Sequence, residues 1–147
     1  MLEGMNDTEI VANAHERWLR GWDREPGAPP FDFRAVQGEF YDWAADDLLL
    51  YDSADPAHRV ARSAEQYRSW WEPVFDGLAA AEHELSDGPH VLVSGDLATS
   101  RLIFLARLVA ADGTETPLRA TSSLVWRRTP AGWRIAWDHT SSVSEPV

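Results

Sequence analysis

Five residues near the C-terminal end recur at every second position: Trp133, Ile135, Trp137, His139 and Ser141. In an extended strand such residues share one face. A face that mixes indoles with one imidazole and one hydroxyl fits a ligand-pocket wall better than a plain core or a plain surface. An imidazole titrates close to neutral pH, so His139 can serve as an acid/base or as a hydrogen-bond partner for a ligand. Its alternative role is structural, with the ring tied to a backbone carbonyl. Asp138 must point to the opposite face, so Asp138 and His139 cannot form a dyad with each other.

The aromatic residues are the second chemical resource. Eight of the 147 residues are Trp. Trp18, Trp22, Tyr67, Trp71 and Trp126 can line a cavity for a flat apolar ligand, or they can form a Trp-rich core or a dimer contact. His83 and His90, with Glu82 and Glu84, match no standard metal-ligand spacing, and turn-flanking polar residues explain them better. No metal site is expected. There is no Cys, which excludes disulfides, thiol nucleophiles and zinc-thiolate sites. The nine Gly form neither a dinucleotide nor a phosphate loop, and there is no GxSxG elbow. No cofactor is expected.

Positioning these residues requires a helical first half and a β second half. Asn6-Asp7-Thr8-Glu9 is capping-box-like and opens a helix to about Asp23, with Val11, Ala14, Trp18, Leu19 and Trp22 in its apolar stripe and His15 at the edge. Asp32 caps a second helix, about Phe33 to Ala45, with Val36, Phe40 and Trp43 inward. Leu48 to Tyr51 reads as a short buried strand, and 52–59 as a polar loop. Ser63-Ala64-Glu65-Gln66 opens a third helix to about Leu78, in which Pro73 predicts a kink or an early break.

The strands follow. Ala81–Leu85 and His90–Ser94 flank a turn at Ser86-Asp87-Gly88-Pro89. Leu97–Ala110, Thr116–Arg128 and Trp133–Val143 are joined by Asp112-Gly113 and by Thr129-Pro130-Ala131-Gly132. On the first of these three strands Ala98, Ser100, Leu102, Phe104, Ala106 and Leu108 form the face under the helices. Arg101 and Arg107 lie on the other face, an outer surface or a subunit interface. Helices followed by a meander imply an α+β fold with an antiparallel sheet.

Length predicts one domain over 1–147, with 1–6 flexible. The net charge of −11 repels a phosphate backbone, so no nucleic-acid partner is expected. The longest apolar run, Leu102 to Ala106, is far too short to span a membrane. The first ten residues lack a signal-peptide core. With the absence of Cys, this fits a cytoplasmic protein.

The element order and the final hairpin resemble the nuclear-transport-factor-2-like superfamily, and within it the SnoaL-like branch, which includes polyketide cyclases. The resemblance covers nearly the whole chain in element order, and in motif the stretch from about Gly95 to Ser141. It implies a cone-shaped α+β barrel with three N-terminal helices packed on a strongly curved antiparallel sheet. It places Trp18 and Trp126 on the cone interior. The spacing of Trp126, Trp133, His139 and Ser141 also resembles the calcium/calmodulin-dependent kinase II association domain, a non-catalytic oligomerisation module of the same fold.

The stretch Ala-Asp-Asp-Leu-Leu-Leu-Tyr-Asp, residues 45–52, resembles the ketosteroid isomerase segment that ends in its catalytic base. The resemblance gives Asp52 that role. It places Trp18 where the isomerase has its oxyanion-hole Tyr. The third catalytic position, a carboxylic acid, falls near Ser122 to Leu124, where no residue is acidic. As a base Asp52 has to lose contact with water, which raises its pKa; general-base catalysis is worth about 10²–10⁴-fold. The alternative is an Asp that opens a turn at a strand end.

Together these readings predict a cofactor-independent isomerase, cyclase or dehydratase on a small hydrophobic carbonyl compound, polyketide- or steroid-like. Asp52 and His139 would be the catalytic pair, and Trp18, Tyr67, Trp71 and Trp126 would hold the substrate. A homodimer through the outer sheet face is expected. The alternative function is a non-catalytic ligand-binding or oligomerisation module.

Overall fold

Among the described residues, each of the three α-helices begins at a capping side chain. The computed structural model describes residues 4–145. Of the segment 1–6, residues 1–3 lie outside the described residues, and Asn6 is fixed: its side chain accepts the Glu9 N–H at 2.9 Å and starts α1, Asp7–Arg20. Such a cap is worth about 1 kcal/mol. Val11, Ala14, His15, Trp18 and Leu19 are the buried stripe of α1.

Asp32 caps α2, which is shorter than its sequence suggests. It covers Phe33–Gln37 and tightens into a 3₁₀ turn at Gly38–Phe40. Val36 is exposed. Gln37 is buried in its place, because its amide donates to the Trp18 carbonyl at 2.8 Å and so ties α2 to the end of α1.

Ser63 caps α3, Ala64–Asp76, and Pro73 does not end it. Proline removes the hydrogen bond to the carbonyl four residues back, here that of Ser69, and Ser69 is exposed, so water can take the bond.

Among the described residues, six strands make one curved sheet in the order β2-β1-β6-β5-β4-β3: β1 Leu49–Asp52, β2 Val60–Ala61, β3 Leu78–Ser94, β4 Leu97–Ala110, β5 Glu115–Thr129 and β6 Gly132–Ser144. The sheet is not closed; β2 and β3 are its edges. All pairings are antiparallel except β1 with β6. The two-residue β2 falls at the end of what reads as a polar loop. Both late hairpin turns form where expected, with Gly113 and Gly132 at positive φ.

The expected turn at Ser86–Pro89 is instead an irregularity within β3, whose register to β4 shifts between Leu85 and Asp87 and again between Asp87 and His90. Gly88 has φ +90°, and a Cβ there would lie 2.6 Å from the Arg101 carbonyl, so glycine lets the strand pass. Pro89 is tolerated because β3 is an edge strand.

On β4, Ala98, Ser100, Leu102, Phe104 and Ala106 are buried beneath the helices and Arg101 and Arg107 are exposed. The core joins this face to the aromatic stripe: Trp22 meets Phe75 at 4.7 Å between ring centroids, and Tyr67 meets Phe33 and Tyr41 at 6.1 and 6.2 Å. Among the described residues no helix is long and apolar enough to cross a membrane.

The most consequential departure lies in β6. Val125 pairs with Trp137 but Trp126 pairs with Ile135, so Ala136 is an extra residue, a β-bulge. A bulge inverts the alternation beyond it. Trp133 and Ile135 are buried before it; Ala136, Asp138 and Thr140 are buried after it; Trp137, His139 and Ser141 are exposed. The five residues from Trp133 to Ser141 therefore do not share a face.

Candidate active site

A cavity of about 240 Å³ lies between the helices and the concave face of the sheet. Trp18 from α1, Trp22 from the turn after it, and Tyr67, Trp71 and Phe75 from α3 form its roof. Phe104, Ala106, Leu108, Leu118 and Ala120 from β4 and β5 form its floor. Asp52, Thr140 and Ser142 stand at the β1–β6 side, and His83 stands at the β3 side. Val74 and Ala54 line the cavity and are also exposed, which puts the mouth between α3 and the loop after β1.

The β1–β6 side is an acidic corner. Parallel pairing sets Leu50 against Asp138 and Asp52 against Thr140. Asp52 is half-buried at the strand end, and its Oδ1 accepts the Ala54 N–H at 2.8 Å, opening the following turn. Both roles suggested by its position, turn opener and cavity carboxyl, coexist in one side chain. Asp138 is 2 % exposed and sits behind the lining. Its two oxygens accept the hydroxyls of Tyr67 at 3.1 Å and Thr140 at 2.8 Å. No cation reaches Asp138 among the described residues, and the chain has no lysine.

Burial without a cation penalises the charged carboxylate. It pushes Asp138 up to about 8, with the negative charge of Asp52 adding to the effect. Burial also pushes Asp52 up, to about 6; the Ala54 N–H opposes this and the charge of Asp55 reinforces it. Asp55 itself is held down at about 2 by its hydrogen bonds to Arg59. At neutral pH the corner therefore holds one carboxylate, Asp52, and one carboxylic acid, Asp138. Tyr41 and Tyr67 stay neutral, raised well above their ordinary pKa first by burial and then by the charge of Asp138.

Four of the six site residues read from the sequence come together here: Asp52, Trp18, Tyr67 and Trp71 all line the cavity. The Trp18 indole N–H is already spent on the Tyr41 oxygen at 3.0 Å. Trp126 does not line the cavity. It is fully buried in the core, donates to Ser100 Oγ at 2.8 Å and packs edge-on against Phe40. Ser100 also meets His15, whose Nδ1 and Nε2 lie 2.7 and 2.9 Å from Ser100 and Ser122. Burial pushes His15 down to about 3, so it is a neutral structural imidazole.

His139 does not line the cavity either. The bulge at Ala136 turns it to the outer face, where its ring packs 5.0 Å from that of Tyr51. The same inversion brings in Asp138, which strict alternation assigns to the outside. A bulge leaves little mark in one sequence. The trace here is the run Ile135-Ala136-Trp137, three consecutive apolar residues inside an alternating strand.

A model of the SnoaL-like domain matches residues 32–145. No curated protein matches the chain by sequence. Among solved structures, a ketosteroid isomerase-like protein from Erwinia carotovora atroseptica is 21% identical over 96% of this chain and 99% of its own, with a TM-score of 0.69. A candidate dehydratase of the nuclear-transport-factor-2-like family from Streptomyces avermitilis is 19% identical over 93% and 97%, with a TM-score of 0.72. A protein from Xanthomonas campestris, named for the calcium/calmodulin-dependent kinase II association domain, is 18% identical over 99% and 94%, with a TM-score of 0.71. At these identities the likeness is one of fold.

Proposed function

The chain belongs to the SnoaL-like domain family, and within that family we propose that it is a cofactor-independent enzyme transferring protons on a small apolar carbonyl compound. The observation that carries this reading is the acidic corner: one carboxyl ionised and one protonated at neutral pH, at the wall of an apolar cavity. Pairs of groups whose surroundings push their pKa values apart are a mark of acid–base sites.

Asp52 takes a proton from the carbon next to the substrate carbonyl. The C–H bond breaks, the proton goes to the Asp52 carboxylate, and the electron pair moves to the carbonyl oxygen as an enolate. A protonated Asp138 donates to Tyr67 or Thr140, which frees that residue's own hydrogen. Both hydroxyls belong to residues that line the cavity, so this hydrogen can meet the enolate oxygen. Return of the proton from Asp52 to a different carbon gives an isomer. Loss of a β-hydroxyl as water, with the same proton, gives a dehydration.

The proposal includes a homodimer on the outer sheet face. Trp137 is 53 % exposed there, beside its register partner Leu49, with Val143 further along the same strand. Large apolar groups in one exposed patch mark an association surface.

The test is exchange of deuterium from D₂O into the α-carbon of 2-tetralone, followed by proton NMR. Wild type is expected to exceed buffer, and Asp52→Asn to lose about 10²-fold or more of that rate. No acceleration by wild type, or an undiminished Asp52→Asn, overturns the reading.

A further inference from the structure

His83 stands on the cavity wall opposite Asp52, with β6, β5 and β4 between β1 and β3. It is 7 % exposed, and its ring lies between those of Phe75 and Phe104, at 6.4 and 5.5 Å. Three contacts fix it. Asp23 Oδ1 lies 2.8 Å from the ring Nδ1 and also accepts the His83 backbone N–H at 2.8 Å. Arg20 donates to the His83 carbonyl at 2.8 Å. Asp23 is not part of the cavity; it lies in a polar cleft behind it, with Arg20, Glu82 and Arg107.

A carboxylate only accepts, so the partner fixes the hydrogen on Nδ1, and in the neutral ring Nε2 then presents a lone pair. Nε2 points nearly the opposite way from Nδ1. It has no hydrogen-bond partner among the described residues, and it is not among their sealed, unpaired polar atoms. A carboxylate that orients one ring nitrogen while the other faces a ligand space is the arrangement of a working imidazole.

Cavity size sets the second limit. An apolar cavity of about 150 Å³ accommodates benzene. One of about 240 Å³ suits one or two rings, not a four-ring skeleton.

We propose that His83, positioned by Asp23, contacts the substrate, and that the substrate is a one- or two-ring compound whose hydroxyl donates to His83 Nε2 at the end away from Asp52. The proposal rests on the cavity being the substrate site. It narrows the polyketide- or steroid-like expectation to a compact hydroxylated ketone. A buried acceptor built to hold a hydroxyl discriminates against the analogue that lacks it, because the acceptor is then left unpaired.

Binding of 2-naphthol and naphthalene to the full chain, followed through tryptophan indole N–H shifts in NMR, tests this without turnover. Wild type is expected to prefer 2-naphthol by about 3- to 10-fold. His83→Phe is expected to bind both alike, and Asp52→Asn to keep the preference. Asp23→Ala is expected to weaken the preference, leave naphthalene binding unchanged, and shift the His83 ¹⁵N signals away from the Nδ1–H tautomer. Should His83→Phe not fold, Asp23→Ala carries the same test. A preference that survives in His83→Phe, or one that is undiminished in Asp23→Ala, overturns the proposal, as does a wild type that binds neither probe or both equally. A hydroxyl preference without 2-tetralone exchange leaves the His83 contact standing and removes the acid–base reading. Exchange without the preference does the reverse.

Discussion

Asp138 and Asp52 lie on adjacent parallel strands two register positions apart, both turned to the concave side of the sheet, and among the described residues neither has an arginine partner. The charge of Asp52 is one reason Asp138 keeps its proton, after burial itself. The pair therefore titrates as a unit, with values of about 6 and about 8.

The first prediction concerns rate. If Asp52 must be ionised and Asp138 protonated, kcat/KM rises as pH passes about 6 and falls as it passes about 8. In Asp138→Asn the alkaline limb is expected to disappear. A wild-type profile flat from pH 5 to 9 contradicts the assignment.

The second concerns stability at the same residue. The folded chain holds the Asp138 proton up to about pH 8, while an unfolded chain releases it near the ordinary 3.8. Its contribution is fully present below pH 3.8 and is lost as pH rises towards 8, by at most about 1.4 kcal/mol per pH unit. Asp138→Asn removes the charge and keeps hydrogen-bonding capacity for Tyr67 and Thr140. Its Tm relative to wild type is expected to climb between pH 4 and pH 8 and then level off. A variant that grows less stable than wild type over that range refutes the buried, uncompensated carboxyl.

His15 acts in the other direction. Its folded pKa of about 3 lies below the ordinary 6.5, so its contribution is complete above pH 6.5 and is lost as pH falls towards 3. Urea midpoints of wild type are expected to drop across that window more steeply than those of His15→Gln. At pH 7 the variant is expected to be less stable by roughly 1–3 kcal/mol, since Ser100 and Ser122 lose their shared partner. Equal slopes for the two proteins would show that His15 does not drive the acid sensitivity.

The outer face gives the fourth. Trp137→Glu places a charge in the middle of the proposed dimer surface, and light scattering at micromolar concentration is expected to change from dimer to monomer. The cavity is on the other face of the sheet, so naphthalene binding is expected to persist. A wild-type monomer contradicts the dimer.

Local chemistry was legible in the sequence. Asn6, Asp32 and Ser63 cap the helices as read, Asp112-Gly113 turns the hairpin, and the face of β4 under the helices follows from alternation. The resemblance of residues 45–52 led to Asp52, which lines the cavity. The failures share a cause: they depend on what a neighbouring strand or helix supplies. The stretch 86–89 is full of turn formers, yet β4 runs beside it and holds it in the ladder. Trp126 is drawn into the core by Ser100, 26 positions away. Ala136 is extra only relative to β5. His83 reads as a turn-flanking residue until the end of α1 brings Asp23 to its ring.

The bulge at Ala136 also bears on how such chains diverge. On β6 a carboxyl and an imidazole are consecutive, and one backbone residue decides which of them looks inward. A chain of the same length without the bulge would carry the alternation on from the hairpin and present His139 to the cavity and Asp138 to the outer face. A register slip of one residue against β5 is thus enough to exchange an acid for an imidazole without altering either letter. Comparing this strand between kindred chains requires locating the bulge, since an alignment column records the residue but not the side it serves.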